Sequence, residues 1–128
     1  MLKGAINIDK WQALQSFWQS FSLPAYEETS VADGLTMPYI TYSALTASID
    51  DPVLITASLW YRSTSWKDIS QKADEIAKRV GDGICISRLN NGYLWLRPGT
   101  PFAQRMSDED PYVRRILLNI DAEYLTVY

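Results

Sequence analysis

Between Val53 and Arg62 the residues alternate in a way that only an extended, two-faced strand accommodates. Val53, Ile55, Ala57, Leu59 and Tyr61 share one side, and Leu54, Thr56, Ser58, Trp60 and Arg62 share the other. The first side reads as core. A second alternation sets Ile116, Leu118, Ile120, Ala122 and Tyr124 against Arg115, Leu117, Asn119, Asp121 and Glu123, again with period two. A strand thus closes the chain. Tyr39 to Ser48, rich in bulky and β-branched residues, reads as a further strand, and the turn Asp50-Asp51-Pro52 joins it to Val53–Arg62 as an antiparallel hairpin.

Two segments carry helical spacing instead. From Asp9 to Phe21, Trp11, Leu14, Trp18 and Phe21 recur at three- and four-residue steps with Phe17 beside them, Asp9 stands at the N-cap, and Gln12 can complete a capping box. The stripe is expected to face the core. In the second helix Ser65 is the expected cap, with Asp68 three residues on, and Ile69, Ala73, Ile76 and Val80 follow at steps of four, three and four. Gly81 and Gly83 end it. Asp68–Lys72, Asp74–Lys78 and Glu75–Arg79 are acid-before-base pairs at i,i+4 on its outer side.

Between the first helix and Pro38, the breakers Pro24, Asp33-Gly34 and Pro38 leave room for a short edge strand and a loop. Ile84–Leu89 and Tyr93–Arg97 flank Asn90-Asn91-Gly92, and Asn-Gly favours a two-residue type I′ turn. With Asn91 and Gly92 as that turn, Leu89 faces Leu94 and Arg88 faces Trp95. Cys85, Ser87, Leu89, Leu94 and Leu96 then share one face. Ile84, Ile86, Arg88, Tyr93, Trp95 and Arg97 share the other, a mixture of aliphatic, aromatic and guanidinium groups that resembles a protein interface. For Trp95 a cover by one of the helices is the alternative. Pro98 to Pro111, with three prolines and the run Asp108-Glu109-Asp110, reads as an excursion from the sheet. The pattern as a whole gives one α+β domain over residues 1–128, a mainly antiparallel sheet of about five strands flanked by two helices.

Composition narrows the chemistry. The 128 residues contain no histidine, which removes the commonest proton-transfer group and metal ligand. Cys85 is the single cysteine, so neither an internal disulfide nor a paired-thiolate zinc site is expected, and its strand setting suits a small buried apolar residue. A formal net charge of -3 disfavours capture of nucleic acid. No apolar run reaches membrane-span length and Met1 to Gln15 lacks a signal-peptide core, which points to synthesis in the cytoplasm.

No catalytic constellation emerges. Asp50-Asp51 and Asp108-Glu109-Asp110 lack the spaced ligands of a calcium loop and read as solvated turns. Gly81 and Gly83 follow a helix rather than open one, so they make no phosphate cradle. Arg88, Arg97 and Arg114-Arg115 fit salt bridges or subunit contacts better than phosphate binding. No cofactor, metal or catalytic residue is therefore expected.

Pro38-Tyr39-Ile40-Thr41-Tyr42, a strand ending Leu59-Trp60-Tyr61-Arg62-Ser63, and a helix opened by Ser65-Trp66-Lys67-Asp68-Ile69 with Ala73-Asp74-Glu75-Ile76 form a pattern that extends over nearly the whole chain. It resembles the tail terminator proteins of long-tailed siphophages, also called tail completion or minor capsid proteins. The resemblance implies a non-enzymatic virion protein of the head–tail junction, assembled in the bacterial cytoplasm as a ring, hexameric in the family. It implies as partners the tail tube, the head–tail connector and other copies of itself, with DNA passing through unbound and no membrane contact. Arg88, Tyr93, Trp95 and Arg97, with Asp108, Glu109 and Asp110 of the long excursion, are the candidate interface residues. The alternatives are another connector or head-completion adaptor, and, from a different class, a small hydrolase using Asp50, Asp51 or the Asp108–Asp110 run.

Overall fold

The computed structural model describes residues 10–43, 53–86 and 92–126. The Asp9 cap, the end of the Tyr39–Ser48 strand, the Asp50-Asp51-Pro52 turn, Arg88 and Asn90-Asn91 lie outside the described residues. In chain order the elements are α1 (Lys10–Gln19), β1 (Ala25–Glu27), β2 (Tyr39–Tyr42), β3 (Val53–Arg62), α2 (Lys67–Val80), β4 (Ile84–Ile86), β5 (Gly92–Met106) and β6 (Val113–Thr126), with a 3-10 turn at Glu28–Ser30. The strands form one six-stranded sheet in the order β1-β2-β3-β6-β5-β4. Only β1 and β2 run parallel; every other neighbouring pair is antiparallel. This is the α+β architecture expected from the patterning, with β1 as the short edge strand.

Hydrophobic alternation decides which face is covered. Ile55, Ala57 and Leu59 of β3 are buried beside Leu118, Ile116, Ile120 and Ala122 of β6, Leu94 and Leu96 of β5, and Ile40 and Tyr42 of β2. Onto this single face pack Leu14, Phe17 and Trp18 of α1, Phe21 just beyond it, and Ile69, Ala73, Ile76 and Val80 of α2. Trp18 meets Phe17 edge-on at 4.8 Å and lies nearly parallel to the Tyr42 ring at 6.4 Å.

Trp11 departs from the expected core stripe and is 45% exposed. Helix α1 packs against β1, only three residues long, so its first turn finds little sheet beneath it. At α2, Trp66 takes the cap position, yet the Ser65 hydroxyl still accepts the Lys67 N–H at 3.1 Å. Gly81, at φ 54, ends the helix by donating its N–H to the Ala77 carbonyl at 2.8 Å. Lys72 pairs with Glu75 at 2.9 Å rather than with Asp68, because its ammonium also donates to the Phe21 carbonyl at 2.8 Å. That bond ties α2 to the end of α1.

The Pro98–Pro111 stretch is not an excursion. Strand β5 runs through both Pro98 and Pro101 and stays paired to β6 as far as Met106, opposite Arg115, with one irregularity between Pro98 and Ala103. The prolines are tolerated because, among the described residues, β4 pairs only with Leu94–Leu96 and no strand beyond it asks for their missing N–H groups. The Asn119 side chain donates to the Pro101 carbonyl at 2.9 Å and holds the irregular segment. Gly99 lies so close beneath it that an added Cβ would stand 2.9 Å from the Asn119 carbonyl oxygen. Gly99→Ala is accordingly expected to lower stability by about 1–3 kcal/mol, read from urea unfolding.

The β4–β5 register also differs from the turn-based expectation. Ile84 faces Leu96, Cys85 faces Trp95 and Ile86 faces Leu94, while Gly92 belongs to the strand and faces Thr126. The offset from the expected pairing is odd, so it exchanges the two faces of β4. Ile84 therefore packs on the core instead of beside Trp95. This register puts Ile84, partly buried, against the core rather than where local Asn-Gly turn chemistry alone would set it.

Candidate interaction surface

Both helices occupy one side of the sheet, and the opposite side carries an ordered row of rings and guanidinium groups. Register brings Tyr26 (β1), Thr41 and Tyr39 (β2), Trp60 (β3) and Arg115 (β6) into successive positions across four strands. Tyr26 and Tyr39 meet edge-on at 6.0 Å, and Tyr39 lies 6.4 Å from Trp60. The Trp60 indole donates to the Thr41 hydroxyl at 2.9 Å. Arg115 places its Cζ 4.8 Å from the Trp60 ring centre, and its Nε donates to Ser58 at 3.1 Å. These bonds hold flat groups in fixed orientations.

A second group lies on the same face, nearer the start of β5. Tyr93 and Trp95 remain about two-fifths exposed, and Leu54 is more open still. Arg97 places its Cζ 5.6 Å from the Trp95 ring and pairs with Glu123 at 3.3 Å. Tyr93, Trp95 and Arg97 thus stand on the side of the sheet opposite the helices, and neither helix covers Trp95. Of the two roles expected for Arg114 and Arg115, salt bridging or subunit contact, the first is not seen: neither residue forms a salt bridge among the described residues. Arg114 binds backbone carbonyls, and Arg115 lies over Trp60.

Asp108, Glu109 and Asp110 are not brought near this group. They form the β5–β6 turn at the opposite end of the hairpin. Along β6, the positions facing Trp95 and Met106 are Glu123 and Arg115, roughly 25–30 Å apart at the rise of a strand. Their roles differ as well. Asp108 accepts the Asp110 N–H at 2.9 Å, and Asp110 accepts the Tyr112 N–H at 2.8 Å while pairing with Arg62 at 3.3 Å. Glu109 is exposed and forms no bond within the described residues. Beside it Tyr112 is 58% exposed, which makes it the most open large apolar side chain described. Sequence reasoning passed over Tyr112, although an aromatic residue directly after Pro111 in a polar turn was a usable signal.

The Tyr112 N–H, aided by Arg62, holds the Asp110 carboxyl below its ordinary value. A lowered folded-state pKa means that this carboxylate favours the folded state above the ordinary aspartate range, a contribution lost as pH falls through the lowered value. Asp110→Asn is therefore expected to flatten the acid limb of a stability–pH curve, measured by urea unfolding between pH 6 and pH 2.5. An unaltered slope would show that the turn does not use this charge.

Among the described residues no three acidic or thiol side chains converge in a manner that would hold a metal ion, and no helix is long and apolar enough to cross a membrane. No protein-family profile matches the chain, and no curated protein or solved structure does.

Proposed function

We propose that this chain is a structural protein of the siphophage neck, of the tail terminator or tail completion kind. In this reading it forms a ring that caps the tail tube, stops its growth and docks to the head connector, without enzymatic activity. The observation that carries the proposal is the sheet face left uncovered by both helices, where Tyr26, Tyr39, Trp60 and Arg115 make a pre-ordered row. Rigid aromatic rings with stacked guanidinium groups are what protein contacts favour, since little side-chain freedom remains to be lost on binding.

A ring also needs two unlike patches on each subunit, so that every contact is heterologous and the rotation closes. The Tyr93–Trp95–Arg97 group at one end of the β5–β6 hairpin and the Glu109–Tyr112 turn at the other supply such a pair. Tube growth stops because the ring covers the free end and presents a different upper surface, on which another tube subunit finds no complement. The net charge of -3 suits a conduit through which DNA slides without being gripped. The resemblance noted above supplies the family, the partners and the hexameric count.

Phage assembled without this protein tests the assignment. Overlong or unterminated tails are the expected result. Tails of normal length beside leaking or empty heads would contradict it and assign the chain to head completion.

A further inference from the structure

Trp66, just before α2, has two guanidinium groups against one indole. The Cζ of Arg105 lies 4.8 Å from the ring centre and that of Arg114 lies 5.2 Å from it. Two like charges gathered at one ring call for an anion, and among the described residues neither has one. Among the described residues Arg114 donates only to the carbonyls of Pro111, Val113 and Thr64, at 3.0, 3.3 and 2.8 Å, and its buried Nε has no partner. Arg105 is exposed and forms no hydrogen bond within the described residues. Asp108 and Asp110 border the same cavity of about 310 Å³, but both already accept N–H groups of their own turn, and Asp110 also binds Arg62.

We propose that this cavity receives the carboxylate of a glutamate or aspartate side chain presented by a partner protein. Arg105, with its donors open, supplies the planar fork that matches a carboxylate. Trp66 is the platform against which the guanidinium group lies, and Arg114, pinned by three carbonyls, is the fixed charge behind it. Asp108 and Asp110 repel a doubly charged phosphate more strongly than a singly charged carboxylate, which sets the preference. The site is complete within one subunit, so the proposal does not depend on ring formation.

The test is a titration of the full, isotope-labelled chain at low ionic strength. The probes are a capped Gly-Glu-Gly-Glu-Gly peptide, its Gln counterpart and inorganic phosphate. The readout is the Trp66 indole N–H resonance, assigned with Trp66→Phe. A saturable shift with the Glu peptide and none with the Gln peptide is expected. Arg105→Gln, at an exposed position that leaves folding intact, should weaken binding about tenfold, and Arg105→Lys should recover only part of the loss because charge remains without the fork. Equal responses to both peptides, no saturable shift, tighter binding of phosphate, or an unaffected Arg105→Gln variant would each overturn the proposal.

Discussion

Trp18→Ala is expected to lower unfolding stability by about 3–5 kcal/mol, the range for emptying a large buried aromatic site. That is a large share of the roughly 5–15 kcal/mol that holds a domain together, so the variant should be marginally folded at room temperature. The reason lies in its position. Trp18 is fully buried, edge-on to Phe17 and nearly parallel to Tyr42, and so joins α1 to the β2 side of the sheet. Its indole N–H is also buried without a partner among the described residues, a state that itself disfavours folding. Trp18→Phe removes that donor along with part of the ring, so relief of the orphan offsets some of the lost packing. The loss should be clearly smaller than for alanine. Urea midpoints at an unchanged denaturant slope measure both variants. A phenylalanine variant as unstable as the alanine variant would contradict this account of the site.

The second large effect concerns assembly. If subunits join through two unlike patches, damage to either patch alone abolishes the ring, yet the two damaged proteins still hold one intact contact between them. Trp95→Ser with Arg97→Ser removes the patch on the open face. Glu109→Lys with Tyr112→Ser removes the turn patch while sparing Asp108 and Asp110, whose carboxylates hold the turn together. Each double variant is expected to be folded and monomeric. Mixed in equal amounts, they should form a one-to-one dimer and no closed ring, read by native mass spectrometry. Rings formed by either variant alone would remove its patch from the interface. Mixing that gave no dimer would rule out a contact between these two surfaces.

The long alternations and the α2 stripe made most of the fold legible. The bounds of β3, the buried positions of β6 and the four core residues of α2 follow from periodicity alone, because burial of one face leaves no other solution. Strand β5 was not legible past Arg97. Pro98, Gly99 and Pro101 are local breakers, and they suit a strand because no described strand pairs with that edge beyond Leu96. The β4–β5 register was not legible for a related reason: local turn chemistry favours one pairing, and the observed one sets Ile84 against the core. Of the candidate surface, Tyr93, Trp95 and Arg97 could be read because they lie on one strand. The Trp60–Arg115 and Trp66–Arg105–Arg114 groups could not, since their members come together only through strand pairing between segments far apart in the chain.

The central claim, that this protein works by closing into an annulus seated on a tube, is tested most directly by electron microscopy of the purified chain with and without siphophage tail tubes. Perforated discs, or a cap at one end only of each tube, are the predicted images. Tubes that stay bare at both ends and continue to elongate in the presence of saturating protein would contradict it.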